Sequence, residues 1–351
     1  MPLFALLTAA ATPLARAAIA PGNWTRVADA PSHRQSGAMA PLGGGRVAYL
    51  GGSFASATGN APFRSAVATG NAPFRSAVAY DATSDSWASL PDMQLPRDAP
   101  GACVLGGHLY AFGGAIAFPV PPSSQMTITN SVESLDLFSS SPTWAWGWAT
   151  PLPSNRTSPS ATALADGTKC VIAGGFSGVP VGGGAPTPGY LDDAYLFDGK
   201  SYSALPRLPF GRSNMGIAAT SAGVYVIGGG AMDPSYFNVS FLAMPGGTPA
   251  SAWEAVAPLN YARSWAMVAT IGEAIVVAGG MSLEPMFQPM GSVEVYANET
   301  WTLFSDGLPG ALPGVAIGFG SGAALNATHM LCGGGAGQGV DGTEAFLFKL
   351  A

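Results

Sequence analysis

Five arginines stand at matching points of a recurring pattern: Arg34, Arg97, Arg156, Arg212 and Arg263. Each is followed by a run of small residues, such as Ser36 to Ala40 or Ser160 to Ala163. A planar guanidinium can grip a carboxylate with two parallel hydrogen bonds, so the set could hold an acidic group. The same fork can instead tie loop carbonyls or carboxylates inside its own module, and recurrence in module after module favours that role. His33 and Trp265 occur once each beside these arginines and are better suited to specificity; Asp98 and Asn214 stand at the same level. Glu284 with Arg263, or Asp233 with Arg212, could combine proton transfer with carboxylate binding. The histidines (His33, His108, His329) and cysteines (Cys103, Cys170, Cys332) are far apart. No metal or other cofactor is expected from them. Each cysteine lies in an apolar run, which reads as a buried free thiol rather than a disulfide. Neither a Gly-x-Ser-x-Gly elbow nor a phosphate-binding loop is present.

The elements that carry these residues are short strands. The 48 glycines and 30 prolines among 351 residues are spread along the chain, which disfavours long helices. Six apolar runs end in Gly-Gly: VAYLGG, LYAFGG, CVIAGG, VYVIGG, IVVAGG and MLCGG. Their first glycines are Gly51, Gly113, Gly174, Gly228, Gly279 and Gly333. A second apolar run follows each pair (AVAYD, VESLD, AYLFD, VSFLA, VEVYA, AFLFK). Then comes an aromatic: Trp87, one of Trp144, Trp146 and Trp148, then Tyr202, Trp253 and Trp301. A Leu-Pro or Pro-Leu step leads to the next Arg. The sixth module has no opening Arg; Ala311-Leu312-Pro313 stands there, and its first strand is expected around Gly314 to Phe319. Thr58 to Ala68 is repeated identically as Thr69 to Ala79, and only the second copy runs into Tyr80-Asp81 as a third strand.

Arg, double Gly, aromatic and Trp in this order, at a period near 50, resemble the kelch repeat from Trp24 onward. The resemblance implies an all-β fold, a six-bladed kelch-type β-propeller with four antiparallel strands per blade. The modules would run 34–90, 97–153, 156–206, 212–259, 263–308 and 312–351, the last completed by 23–28. The sixth module stops after its third strand and Trp24 is an orphan, so the N-terminal strand is expected to close the ring. The resemblance also implies a ligand face built from the loops before first strands and between second and third strands. That face would carry His33, Arg34, Arg97, Asp98, Arg156, Arg212, Asn214, Asp233, Arg263, Trp265 and Glu284. The preferred function is a binding module for a protein or a glycan. Some kelch propellers of this length isomerise sialic acid, and a secreted sugar-active enzyme is the alternative. Copper radical oxidases share such a propeller, but their histidine pair and Tyr-Cys crosslink have no counterpart here.

Net charge is −6 and no Lys/Arg cluster appears, which argues against nucleic acid as a partner. Only 10% of residues are charged, against about 25% in an average soluble protein. Residues 1–20 contain a short apolar run (LFALLTAAA) followed by small residues, the form of a secretory signal peptide. Residues 21–351 would be one domain. No segment is long enough to span a bilayer. N-x-Ser/Thr sites at Asn23, Asn155, Asn238, Asn298 and Asn326 support a secreted or lumenal, N-glycosylated chain, expected to act as a monomer.

Overall fold

Alternating small and apolar runs punctuated by glycine fold here into antiparallel sheets. The computed structural model describes residues 22–53, 72–117, 126–140, 145–178, 189–230, 239–244, 247–282, 288–305, 312, 315–338, 340 and 342–350. Among these residues there are six four-stranded antiparallel sheets and no helix long and apolar enough to cross a membrane. The architecture is all-β and consistent with a propeller.

Sheet one comprises Ala38–Gly43, Arg46–Leu50, Ala77–Asp81 and Ser86–Leu90. Sheet two is Gly101–Leu105, His108–Phe112, Val132–Asp136 and Gly147–Ala149. Sheet three is Ser160–Ala163, Cys170–Ala173, Ala194–Phe197 and Tyr202–Ala204. Sheet four is Gly216–Thr220, Gly223–Ile227, Val239–Ala243 and Glu254–Val256. Sheet five is Met267–Ile271, Ala274–Ala278, Val293–Ala297 and Thr300–Phe304. Sheet six takes Ser321–Ala324, His329–Gly333 and Ala345–Lys349, and its fourth strand is the N-terminal Asn23–Val27. Asn23 pairs with Lys349 and Val27 with Ala345, and Trp24 packs on Phe348 at 4.9 Å between ring centroids.

Apart from Arg46, His108 and His329, which open three of them, the second strands are apolar because both their faces are covered; all five residues of Gly223–Ile227 and of Ala274–Ala278 are buried. Six core clusters each join two sheets: one with two, two with three, three with four, four with five, five with six, and six with one. The first strands, made of small residues, neighbour one another in the same order, and Ser321–Ala324 lies beside Ala38–Gly43. At the periphery, Trp87, Trp146, Trp253 and Trp301 each donate the indole N–H at 2.8 Å to a carbonyl just past the preceding sheet's fourth strand. The acceptors are Ala28, Pro91, Pro206 and Ala257. Trp146 is thus the module's tryptophan, while Trp148 is exposed.

Each Gly-Gly pair links one module to the next. Gly52, Gly114, Gly175 and Gly229 donate their N–H to the carbonyls of Arg97, Arg156, Arg212 and Arg263 at 2.8 to 3.1 Å. Gly280 donates to Ile317 (2.7 Å), and Gly335 donates to Arg34 (2.8 Å). These two bonds correct the expected frame of the sixth module. Its Arg slot is held by Ile317, its first strand is Ser321–Ala324 rather than residues 314–319, and its glycine pair is Gly334-Gly335. Ala316–Gly318 pairs instead with Ala336–Gln338. With no guanidinium to place, the slot takes an apolar side chain that joins the core between sheets five and six. In sheet one the second copy of the duplicated segment supplies Ala77–Asp81; the first copy, residues 58–68, lies outside the described residues, as do residues 1–20.

The cysteine expectation fails for one pair. Cys103, in the first strand of sheet two, and Cys170, in the second strand of sheet three, form a disulfide with Cα atoms 6.4 Å apart. They are 67 residues apart in sequence, but the sheets that carry them pack face to face. Cys332 remains a buried free thiol, and burial raises its pKa. Reduction, or Cys103→Ser with Cys170→Ser, will lower unfolding free energy by about 2–4 kcal/mol. Chemical denaturation with and without reductant measures this, and Cys332→Ser serves as the control.

Candidate functional site at the channel mouth

The first strands of all six sheets line one central cavity of about 150 Å³, and the arginine loops surround one end of it. The arginines do not project into it. All five are buried, Arg97 and Arg156 fully. Each guanidinium turns outward along its own sheet and donates to the first glycine of that module's pair. The bonds run from Arg34 to Gly51 (3.3 Å), Arg97 to Gly113 (2.6 Å), Arg156 to Gly174 (3.1 Å), Arg212 to Gly228 (3.3 Å) and Arg263 to Gly279 (2.8 Å). This geometry serves the tie within the module.

Further partners saturate most of the forks. Arg97 reaches Ser131 O (3.0 Å) and the Glu133 carboxylate (2.9 Å). Arg263 reaches Ser292 O (3.1 Å) and Glu294 (2.8 Å). Both carboxylates are buried and also cap loop backbone: Glu133 accepts from Gln94 N and Leu95 N, and Glu294 from Asn260 N and Tyr261 N. Arg156 binds Asp193 through two nitrogens, at 2.7 and 2.9 Å. Arg34 bonds Ser32 and Ser76 and lies 4.9 Å from the Tyr49 ring. Arg212 sits 4.1 Å over Phe210, and burial pulls its pKa down to about 10. Glu133 and Glu294 were not singled out as site residues, although an acid at the second position of an apolar run (VESLD, VEVYA) was the visible signal.

The mouth itself is built by the residue two positions after each Arg slot. Ser36, Ala99, Ser158, Asn214, Trp265 and Phe319 all adopt left-handed backbone, with φ between 48° and 60°. Non-glycine residues rarely do so, and such strain persists only where surrounding bonds hold it. Here they include Ala99 N to Ser36 O, Ser158 N to Ala99 O, Trp265 N to Asn214 O and Ser36 N to Phe319 O, all 2.8 or 2.9 Å. The backbone repeats but the side chains do not. Trp265 and Phe319 meet at 4.8 Å on one side, Ser36, Ala99 and Ser158 occupy the other, and Asn214 stands between, its amide donating to Ser213 Oγ (2.9 Å). Among the described residues that line the cavity, none is charged. The site can therefore offer hydroxyls, an amide and aromatic faces to a partner. Sequence reasoning found Asn214 and Trp265; it missed the other four, because small or apolar residues carry no mark of left-handed backbone.

The residue between each Arg slot and this ring bridges to the loop after the glycine pair, as in Gln35 with Ser53, Asp98 with Ala115, Thr157 with Phe176 and Ser213 with Gly230. These bridges bring the two expected loop sets together. Asp98 is distinctive. Its Oδ1 is buried without a hydrogen-bond partner, and burial pushes the carboxyl up to about 7 against an opposing bond from Ser53. His33 is partly buried directly before Arg34, and His108 begins the second strand of sheet two, at the opposite end. Asp233, Glu284 and Asn238 lie outside the described residues.

No protein-family model matches the chain. Over 35 residues it is 49% identical to Kelch-like protein 1 from Mus musculus, a stretch covering 10% of this chain and 5% of that protein. The likeness is to less than one module; together with the four-stranded sheets it hints at kelch repeats.

Arg97→Ala will leave the buried Glu133 carboxylate without its cation and cost about 3–5 kcal/mol, whereas Arg97→Ala with Glu133→Gln, which removes the charge and keeps an acceptor for the Gln94 and Leu95 N–H groups, will recover part of that loss. Urea titrations of the three proteins decide it. For Asp98, the unfolded carboxyl ionises near 3.9 and the folded one near 7. The unfolded state therefore releases its proton first as pH rises. The stability this group contributes is complete below pH 4 and is lost between about pH 4 and 7, by at most about 4 kcal/mol. Asp98→Asn should remove this slope and be the more stable protein above pH 7, as read from unfolding midpoints across the range.

Proposed function

We propose that the chain is a secreted or lumenal, N-glycosylated interaction module: a six-bladed kelch-type propeller that holds a protein or glycan partner at the channel mouth. The observation that carries the binding reading is the asymmetry of the mouth. Six equivalent backbone positions are held in one strained conformation while their side chains range from Ala to Trp. A ring that served only packing would need no such variety. The small cavity, against roughly 300–1,000 Å³ for typical small-molecule sites, admits one ring or side chain, so most of a partner must rest on the face around it.

Six sheets joined by six core clusters and by glycine links that return from Gly335 to Arg34 support six blades and closure through Asn23–Val27. The disulfide supports an oxidising compartment, since such bonds are rare in cytosolic proteins. Among the described residues the sugar-active enzyme reading gains Asp98, while Arg97 and Arg263 are bonded to carboxylates inside their sheets.

If the ring is closed by the N-terminal strand, deleting residues 21–31 lowers the melting temperature and exposes an edge that promotes aggregation; a truncated protein that melts like the wild type refutes closure. For binding, the mature protein is tested against a glycan array and against proteins captured from culture medium. Trp265→Asn tolerates left-handed backbone. It is expected to weaken the partner's binding by at least ~2 kcal/mol, about 30-fold, with an unchanged melting temperature. Equal binding by Trp265→Asn would move the site elsewhere.

A further inference from the structure

Four of the five N-x-Ser/Thr asparagines are described, and they divide unequally between the two ends of the sheets. Every first strand runs from the arginine loop to a tight turn, so the turns between first and second strands, and between third and fourth, lie opposite the mouth. Asn298 sits in the turn closed by Ala297 and Thr300 of sheet five. Asn326 sits in the first turn of sheet six, closed by Leu325 N to His329 O (2.8 Å). Asn23 opens the outer strand of sheet six opposite Lys349, which itself pairs with His329. The two sheets are neighbours at this end: a Cβ on Gly272, in the sheet-five turn, would lie 3.8 Å from Ala327 O. Asn155, beside Arg156, is at the mouth end.

Asn23, Asn298 and Asn326 are all exposed. Asn298 has φ of 50° in a turn outside the ladder. Asn326 Oδ1 accepts hydrogen bonds from Thr328 N and Thr328 Oγ1, both 2.9 Å, so amide and hydroxyl of the acceptor triplet already face one another. An oligosaccharide on any of the three would stand in solvent without displacing a core contact.

We propose that Asn23, Asn298 and Asn326 carry N-linked oligosaccharides that cover the turn end of sheets five and six and so confine a partner to the channel-mouth end. The proposal rests on the secretory reading above. In each transfer the asparagine Nδ2 bonds to the anomeric carbon of a lipid-diphosphate-linked oligosaccharide. The lipid diphosphate leaves with the bonding pair, and Nδ2 gives up one proton; donor and transferase belong to the secretory pathway. The covering also supplies polarity to a chain in which only 10% of residues are charged.

The test expresses the full chain in a eukaryotic secretory host in two forms, with its native N-terminus and with residues 1–20 replaced by a proven signal peptide. Enzymatic release of glycans in heavy-oxygen water converts each occupied Asn to labelled Asp, which peptide mapping locates. Hydroxyl-radical footprinting then compares the glycosylated and the trimmed protein. Label at all three asparagines is expected. Reactivity should rise on trimming at residues 272–273 and 325–328 and stay constant at Trp265. Bare asparagines in the signal-bearing form, label confined to Asn155 or Asn238, or a rise at Trp265 instead of at the turns, overturns the proposal. A native form retained unglycosylated in the cytosol, beside a signal-bearing form labelled at all three, refutes the secretory reading and leaves the site assignment standing.

Discussion

A backbone N–H given by the second glycine of each pair to a carbonyl of the following module is the bond on which the other contacts depend. At Gly114, φ is 101°, and a Cβ would lie 2.9 Å from Asp98 O. No side chain fits, and few residues other than glycine adopt that backbone. Because the acceptor is the carbonyl of the next Arg slot, the link fixes where that slot's residue sits. Its side chain then lies beneath its own module's glycine pair, and the first glycine's carbonyl is left for the guanidinium. One constraint therefore sets both the join between modules and the tie within each. Ile317 shows which part is indispensable: the backbone link survives there without the arginine.

Burying five guanidiniums is costly, and the protein meets that cost with carboxylates and carbonyls already fixed by the fold. Glu133 and Glu294 each satisfy two loop N–H groups as well as an arginine, so the loop before each of these Arg residues is anchored to the third strand of its own sheet. The charge of the five arginines is held inside the sheets, and the described residues of the cavity wall are neutral. The ring at the mouth presents hydroxyls, an amide and aromatic rings rather than a ring of cations. The two ends of the sheets thus differ in kind. At the arginine-loop end the ring side chains vary from Ala to Trp; the turns at the other end are short, and that end holds three exposed N-x-Ser/Thr asparagines around sheets five and six.

Much of the fold was legible in the sequence because its determinants are local and repeated. A Gly-Gly after an apolar run marks a second strand in every module, and Trp87, Trp146, Trp253 and Trp301 each stand in or just before an outer strand. The orphan Trp24 segment announced its pairing by lacking a sheet of its own. The misreadings came where repetition failed. Three consecutive glycines, 333 to 335, left the sixth pair ambiguous by one residue, and without an Arg the frame of its first strand slipped.

Composition and period by themselves determined the strand content, the apolar runs of the second strands and the recurrence of arginine, because each depends on residue type at fixed spacing. Only the tertiary structure decided what those arginines face, since a guanidinium is long enough to reach either the channel or its own sheet. It alone paired Cys103 with Cys170, because contact between sheets is indifferent to sequence separation. It alone placed Ser36, Ala99, Ser158 and Phe319 in one ring with Asn214 and Trp265, since left-handed backbone at these residues is imposed by bonds from neighbouring modules and not by the residues themselves.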